Sequence, residues 1–322
     1  MDYANLDPET ILSAVESVGL RASGHVLALN SYENRVCRLG IEDEPAIVAK
    51  FYRPARWTDE QILEEHQFCQ ELVEAELPIV EPLKIEGETL FSYNGFRFSL
   101  YPLQGGRAPE FDNEDNLFTM GRFLGRIHAV GSGTEFKHRP SIDIQSFGKD
   151  SAALILDEFI PESLKSAYET LSQDLLGIME DRLQQFSDLA KIRTHGDCHS
   201  GNVLWRNEAP HFVDFDDART APAVQDIWML LSGSIQEQEI QLSSIVEGYE
   251  EFNSFNTQEL HVVEVLRTLR IMHYAAWLSR RWVDPAFPKA FPWFNTERYW
   301  GEHILELREQ LAALQEQPLR LL

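Results

Sequence analysis

The chain is organised around one stretch, which reads Thr194-His195-Gly196-Asp197-Cys198-His199-Ser200-Gly201-Asn202-Val203-Leu204-Trp205. A second stretch follows shortly after it and reads His211-Phe212-Val213-Asp214-Phe215-Asp216-Asp217. The glycines beside Asp197 and Asn202 let the backbone turn tightly there. The second stretch is typical of a short strand that ends in carboxylates. The two segments therefore predict loops that deliver aspartate and amide side chains into one cleft.

These residue types suit the transfer of a phosphoryl group to a hydroxyl. One aspartate takes the proton of the accepting hydroxyl, and an amide and a second aspartate hold magnesium. We therefore predict that Asp197 and Asp214 are catalytic, and that Asn202 and Asp214 are the metal ligands. Asp216 either approaches the metal or holds the loop, and Asp217 is structural or solvated. His195 is expected to organise the loop through a hydrogen bond.

The same motifs carry a resemblance to a known family. The pattern His-Gly-Asp-x-His-x-x-Asn, followed by Val-Asp-x-Asp, resembles the catalytic and metal loops of the aminoglycoside phosphotransferase/choline kinase group, whose members are relatives of protein kinases. A bacterial branch of that group, the cytoplasmic serine/threonine protein kinases of the stress response, is similar over more of the chain. The stretches that carry this closer likeness are residues 29–36, 50–54, 61–68 and 284–289.

This resemblance implies a fold, cofactors and an acceptor. The fold is α+β and of the two-lobe protein-kinase type. Residues 1–104 form a nucleotide-binding lobe of antiparallel sheet plus helix, and residues 105–322 form a mostly helical lobe that binds the acceptor and carries the catalytic residues. ATP and Mg²⁺ bind between the lobes, with a hinge near residues 100–106. The implied acceptor is a serine or threonine of a protein, including the enzyme itself.

A lysine is expected to bind the nucleotide from the first lobe. Residues 46–52 alternate as a strand, and a lysine inside so apolar a strand is costly unless its charge is paired. The resemblance implies that Lys50 reaches the α- and β-phosphates and pairs with a glutamate of the next helix. That helix, from 58 to about 74, opens with a capping box. We prefer Glu65 as the partner because of its spacing from Phe68, with Glu64 as the alternative.

Two hairpins are expected in the same lobe. The first has its tip at residues 30–34, which contain no glycine, and there Ser31 offers a hydroxyl or a backbone N–H to a phosphate oxygen. The second turns at Asn94-Gly95, a dipeptide that favours the tight turn of a two-residue hairpin. In the second lobe, the resemblance implies that Asp226 ties down the backbone of the catalytic loop. The aromatic tail, residues 282–300, is either part of the acceptor surface or a segment packed on the helices, and we favour the packing role.

Composition restricts the classes of partner. The chain has 322 residues, of which 43% are hydrophobic, and its formal net charge is −24. These values predict a packed core rather than disorder. The negative charge argues against nucleic acid, whose phosphates would be repelled. It suits a basic or neutral partner, although an acidic surface that only promotes solubility is the more ordinary explanation.

The sequence also predicts where the chain works. No stretch approaches the ~20 apolar residues that a membrane span requires. Residues 1–7 are acidic and lack an apolar segment, so we expect no secretory signal there. The cysteines number three and are scattered, as is typical of reduced thiols in the cytoplasm. We expect a cytoplasmic monomer.

Three alternatives stay open at this point. His195, Asp197 and His199 are spaced as transition-metal ligands of a hydrolase would be, but the later cluster offers only aspartates. A small-molecule hydroxyl kinase, acting on an aminoglycoside, choline or homoserine, uses the same chemistry. A nucleotide-binding regulator without catalysis would not need Asp197, Asn202, Asp214 and Lys50, all of which are present.

Overall fold

The computed structural model describes residues 3–111 and 113–322 of the chain. Its first part holds helix α1 (Pro8–Glu16), an antiparallel sheet, and helix α2 (Asp59–Glu74). The strands of the sheet are β1 (Ala22–Ala28), β2 (Arg35–Ile41), β3 (Glu44–Phe51), β4 (Phe91–Tyr93) and β5 (Phe96–Pro102). Their order across the sheet is β1-β2-β3-β5-β4. Met1 and Asp2, which belong to the stretch expected not to be a secretory signal, lie outside the described residues.

The part that follows is mostly helical. Two small antiparallel ribbons carry the loops of interest: β6 (Ile192–Thr194) pairs with β9 (Arg219–Ala221), and β7 (Val203–Arg206) pairs with β8 (Ala209–Phe212). The helices are α3 (Glu114–Gly131), α4 (Asp150–Leu154), α5 (Glu162–Gln185), α6 (Val224–Trp228), α7 (Ile235–Tyr249), α8 (Val263–Arg281), α9 (Ala286–Ala290) and α10 (Glu297–Ala313). The predicted α+β class is confirmed. No helix in the described part of the chain is long and apolar enough to span a bilayer.

Strand β3 carries Lys50 into the middle of the sheet. Its neighbours are β2, where Val36 faces Lys50 in the register, and β5, where Ser99 does. The alternation of side chains buries Ala49 and Phe51 in the core beneath the sheet, while Lys50 lines the cleft on the other side. The predicted strand is therefore present, and Lys50 is only 5% exposed.

Helix α2 begins as predicted. Thr58 accepts a hydrogen bond from the backbone of Gln61, and the Gln61 side chain accepts one from the backbone of Thr58, so the capping box is formed. The buried face of the helix includes Phe68 and, one turn earlier, Glu65. The helix thus places one carboxylate against the floor of the cleft.

Helices α3 and α7 approach very closely beneath the catalytic loop. A Cβ atom at Gly121 would lie 1.9 Å from the carbonyl oxygen of Ile245, and one at Gly248 would lie 2.0 Å from that of Phe118. Only glycine fits at these contacts, because any side chain would collide with the opposing backbone. This packing fixes α3, whose His128 supports the catalytic loop from below.

The last helix begins earlier than the sequence indicated. The amphipathic pattern near the end of the chain predicts a last helix from about Glu302 to Leu314. Helix α10 instead begins at Glu297, where the side chain of Thr296 accepts a hydrogen bond from the backbone of Tyr299. Threonine is a good N-cap, so this start has an ordinary physical cause. The aromatic tail is largely buried: Phe287, Phe291, Phe294 and Trp300 are each 8% exposed or less. These buried rings support the packing role that we favoured for the tail.

Candidate active site

A cavity of about 620 Å³ lies between the sheet and the helical part of the chain. Its walls come from the tip of the first hairpin, strand β3, the segment after β5, both motif loops and helix α8. Every residue selected from the sequence as catalytic, nucleotide-binding or metal-binding lines it: Ser31, Lys50, Glu65, Asp197, Asn202 and Asp214. The fold therefore brings together residues that are far apart in the sequence.

Lys50 is held between two carboxylates. Its Nζ lies 2.9 Å from Oδ1 of Asp214 and 3.0 Å from Oδ1 of Asp216. Burial by itself would lower the pKa of Lys50, but the neighbouring negative charges raise it well above its usual value. The amine therefore stays charged inside the protein, as a group that binds phosphate must.

The prediction that Lys50 forms an ion pair with Glu65 is wrong. The ion pairs described for Lys50 are those with Asp214 and Asp216, whereas the Glu65 carboxylate lies 3.6 Å from Nη1 of Arg139. Helix spacing placed Glu65 correctly in the cleft but gave no sign of the other partners, which come from distant segments. Burial, only partly offset by Lys50 and Arg139, raises the pKa of Glu65 to about 7.

Glu64, the alternative partner, has a structural role. Its carboxylate accepts hydrogen bonds from the backbone N–H groups of Lys137, His138 and Arg139, at 2.5, 2.9 and 2.7 Å. These bonds hold the segment after α3 against α2. Glu64 therefore faces away from Lys50, in keeping with its place about 100° around the helix from Glu65.

The catalytic loop is fixed by Asp226. The carboxylate of Asp226 accepts hydrogen bonds from the backbone N–H groups of His195 (2.8 Å) and Gly196 (2.9 Å), so the predicted tie is confirmed. His128 contacts the same carboxylate through Nε2 at 3.1 Å. His195 has the organising role that we expected, because its Nε2 lies 2.9 Å from the carbonyl oxygen of Val213.

Replacing Asp226 with alanine should destabilise the protein strongly. Two buried N–H groups would lose their acceptor, and leaving such groups unpaired costs about 3 to 5 kcal/mol in total. Urea unfolding should show this loss in the free energy of unfolding. The matched control is Asp188→Ala, which changes an exposed aspartate and should shift that free energy by less than about 0.5 kcal/mol. Equal stability of the two variants would show that Asp226 does not hold the loop.

Asp197 is held by three neighbours. Arg270 contacts Oδ1 at 2.5 Å, and His199 and Asn202 lie 3.4 Å from Oδ2. Burial would raise the pKa of Asp197, but the hydrogen bond from His199 and the charge of Arg270 lower it below its usual value. The carboxylate is therefore ionised at neutral pH. Sequence reasoning missed Arg270, which stands 73 positions later on α8 and belongs to no local motif.

Asn202 and Asp214 lie on adjacent loops. The backbone N–H of Val213 donates to the carbonyl oxygen of Asn202 at 3.0 Å, which joins the two segments side by side. Asp214 adopts a left-handed backbone conformation with φ +59° and ψ +62°. Such a conformation is uncommon for a residue other than glycine, and residues of this kind cluster at functional sites.

The hydrolase alternative gains no support from the loop. His195 uses Nε2 toward Val213, and His199 accepts a hydrogen bond at Nδ1 from the backbone of Gly201 at 3.0 Å. Over residues 3–111 and 113–322, no group of three or more His, Cys, Asp or Glu side chains is arranged to hold a metal ion. A magnesium site built from an amide, one carboxylate and nucleotide oxygens is not a group of that kind.

Asp216 and Asp217 hold the second loop. Asp216 is contacted by Arg56 as well as by Lys50, and Arg56 also lies 2.7 Å from Oδ1 of Asp217. Burial would raise the pKa of Asp216, but the charges of Arg56 and Lys50 lower it to about 2. Of the two roles proposed for Asp216, the structure favours the structural one.

The tip of the first hairpin is tied to the opposite side of the cleft. Glu33 lies 2.9 Å from Nε of Arg53 and 2.9 Å from Nη2 of Arg281, and it accepts a hydrogen bond from the indole of Trp277. Arg53 in turn lies 3.1 Å from Asp284. Three of the stretches that carry the closer resemblance therefore meet at one ion-pair cluster, which holds Ser31 over the cleft without a glycine.

Replacing Glu33 with glutamine should weaken nucleotide binding. The tip would lose the negative charge that pairs with Arg53 and Arg281. We therefore expect the KM for ATP to rise about tenfold, which corresponds to the loss of a partly buried ion pair. Steady-state kinetics against ATP would measure this, and kcat should change less. Glu42→Gln, an exposed change at the end of the same sheet, serves as control. An unchanged KM would mean that the cluster does not position the tip.

Comparison with known proteins agrees with this geometry. Residues 25–266, more than half of the chain, match the sequence model of the phosphotransferase enzyme family. The chain belongs to this phosphotransferase family. The chain is 46% identical over 320 residues to stress response kinase A of Escherichia coli K12, covering 99% of this chain and 97% of the relative. It is 44% identical, with the same coverage, to serine/threonine protein kinase RdoA of Salmonella typhimurium LT2.

Solved structures of phosphotransferases share the fold. The amicoumacin kinase hAmiN, in complex with AMP-PNP, Ca²⁺ and Ami, has a TM-score of 0.74 at 18% identity and covers 97% of this chain and 95% of its own. A microcompartment-associated aminopropanol kinase has a TM-score of 0.71 at 15% identity and covers 96% and 97%. The predicted membership and fold are thus confirmed, and the chain is a phosphotransferase enzyme.

Proposed function

We propose that this phosphotransferase is a serine/threonine protein kinase of the stress response, which transfers the γ-phosphoryl group of Mg–ATP to a protein hydroxyl. The observation that carries the proposal is the meeting of Lys50, Asp197, Asn202 and Asp214 in one cleft. The names of the relatives that match over nearly the full length support the choice of acceptor. We also propose that the chain is divided into two lobes, a nucleotide-binding lobe of residues 1–104 and a helical lobe of residues 105–322.

The cleft suits ATP. A volume of about 620 Å³ lies within the range of small-ligand sites. Apolar side chains line part of the cavity, as an adenine ring requires, and they include Leu29, Val36, Val48, Val80, Tyr101, Leu103 and Leu204. Lys50 is a buried, charged amine that lines the same cavity, where it would bind phosphate oxygens.

Asn202 and Asp214 would hold the magnesium ion. Asn202 donates through Nδ2 to the carbonyl oxygen of Asp197 at 3.0 Å, so its amide oxygen is left to serve as a ligand. The Asp214 side chain is 52% exposed toward the cleft and supplies a carboxylate. Such a site suits Mg²⁺, which keeps several waters and needs few protein ligands. When bound, the ion would neutralise charge on the phosphates.

Asp197 would orient the acceptor hydroxyl and take its proton. It is ionised, and it is held in place by Arg270 and by the fixed loop on which it lies. A general base in such a position typically contributes ~10²–10⁴-fold to the rate. Lys50 would bind the phosphates, and Glu65, buried close by, would add to the negative field that keeps the amine charged.

The experiment that tests the acceptor is incubation with ATP labelled at the γ-phosphate and a cell lysate. We expect label on protein, including the enzyme itself, and none with the Asp197→Asn variant. Label on small metabolites alone would favour the alternative, a small-molecule hydroxyl kinase.

We propose that the enzyme works as a monomer in the cytoplasm, which suits the free and buried thiols of Cys37, Cys69 and Cys198.

A further inference from the structure

The acids of the cleft are all paired with cations of the protein. Within the described residues, each acidic side chain that lines the cavity has a lysine or arginine nitrogen at 3.6 Å or less. These side chains are Glu33, Glu65, Asp197, Asp214, Asp216 and Asp217. An acceptor that carries an ammonium group needs an available carboxylate, and these acids are already engaged.

Arg270 differs from the other cations of this group. Its side chain is 42% exposed, whereas those of Lys50 and Arg56 are 7% and 12% exposed. It projects from α8 one turn before Tyr274, which also lines the cavity and is 43% exposed. Arg270 therefore stands at the open side of the cleft, in contact with the proposed base, where an acceptor has to enter.

The guanidinium can bind more than Asp197. It has five N–H donors in a rigid fork, and the contact with Asp197 uses Nη1. The remaining donors can bind a carboxylate or phosphate that lies near the accepting hydroxyl. The overall charge of −24 does not reverse this preference, because charges on remote surfaces are screened beyond about 8 Å at physiological salt.

We propose that Arg270 determines the charge of the acceptor, an inference that rests on the proposed transfer to a hydroxyl. Arg270 cancels the charge of Asp197 and presents its own free donors, so the site accepts a hydroxyl next to a neutral or anionic group. It disfavours a hydroxyl next to an ammonium. This preference is the opposite of what the acidic composition of the chain suggests. Arg270 is the side chain that sets it.

The test compares serine peptides that are identical except for glutamate, alanine or lysine beside the serine. For the wild type, kcat/KM with the lysine peptide should be about fivefold lower than with the glutamate peptide, as expected for a half-exposed charge interaction. In Arg270→Gln this ratio should fall to about twofold or less, and Arg270→Lys should keep its direction. Arg298→Gln removes the same charge from a side chain that is 87% exposed, and it should keep the full ratio.

Each outcome decides the inference. Unchanged ratios in Arg270→Gln, or a wild-type preference for the lysine peptide, would overturn it. Calorimetric titration with AMP-PNP checks that each variant is folded. If Arg270→Gln does not bind AMP-PNP, the test uses the wild type and Arg270→Lys, both of which should prefer the glutamate peptide to the lysine peptide. If the wild type labels no peptide, the proposed protein-kinase function fails. The comparison then uses 3-hydroxypropanoate and 3-amino-1-propanol, and a preference for the amine would overturn the inference.

Discussion

Replacement of Asp197 with asparagine is expected to abolish phosphoryl transfer while nucleotide binding is kept. The amide has nearly the same shape but cannot take the proton of the acceptor hydroxyl, and the loss of a positioned base costs ~10²–10⁴-fold in rate. The loop should keep its fold, because Asp226 holds it through the backbone of His195 and Gly196. Asn202 should also stay in place, since it donates to the backbone oxygen of residue 197.

Two measurements together check this result. Transfer of label from ATP gives the rate, and calorimetric titration with AMP-PNP gives the affinity of the nucleotide site. The matched control is Asp181→Asn, which changes an exposed aspartate on α5 and should leave both quantities unchanged. If Asp197→Asn kept more than about a tenth of the wild-type rate, the assignment of the base would be wrong.

Replacement of Lys50 with methionine is expected to affect binding and transfer together. The variant loses the amine proposed to bind phosphate, and it also leaves Asp214 and Asp216 without their shared cation. Removing one partner of a buried ion pair costs about 3 to 5 kcal/mol, although Asp216 keeps Arg56. We therefore expect a transfer rate at least ~10²-fold lower, a higher KM for ATP and a lower midpoint of thermal unfolding.

The control for this variant is Lys84→Met, which removes an exposed lysine. Kinetics against ATP and thermal unfolding followed by circular dichroism would separate the two effects. A stable Lys50→Met protein with unchanged kinetics would move the phosphate contact elsewhere in the cleft. A destabilised protein with an unchanged KM would reduce Lys50 to a structural role.

Much of the local structure followed from the sequence alone. Asn94-Gly95 forms the tight turn between β4 and β5, with positive φ angles of 49° and 81° that these two residues tolerate. The capping box at Thr58 and the tie from Asp226 were also expected and are present. The turn and the capping box are predictable because they depend on residue types within a few positions, whereas the role of Asp226 was implied by the resemblance to a known family.

The choice of ionic partners could not be read from the sequence. Helix spacing placed Glu65 in the cleft, yet Lys50 pairs with Asp216, 166 positions away along the chain, and Glu65 lies beside Arg139. Such a pair forms only where two distant elements are brought side by side. In a site with several acids and several bases, the geometry of packing decides which of them meet.

The sequence by itself determined which chemical groups are available in the cleft: an aspartate, an amide and a second aspartate on two loops, and a lysine from the central strand. Tertiary structure decided how that chemistry is held and restricted. It brought Arg270 onto Asp197 across 73 positions and Arg281 onto Glu33 across 248. Short-range patterns fix the backbone and the face that each residue occupies. The contacts between charges depend on how whole helices and strands pack together, and no local pattern records that.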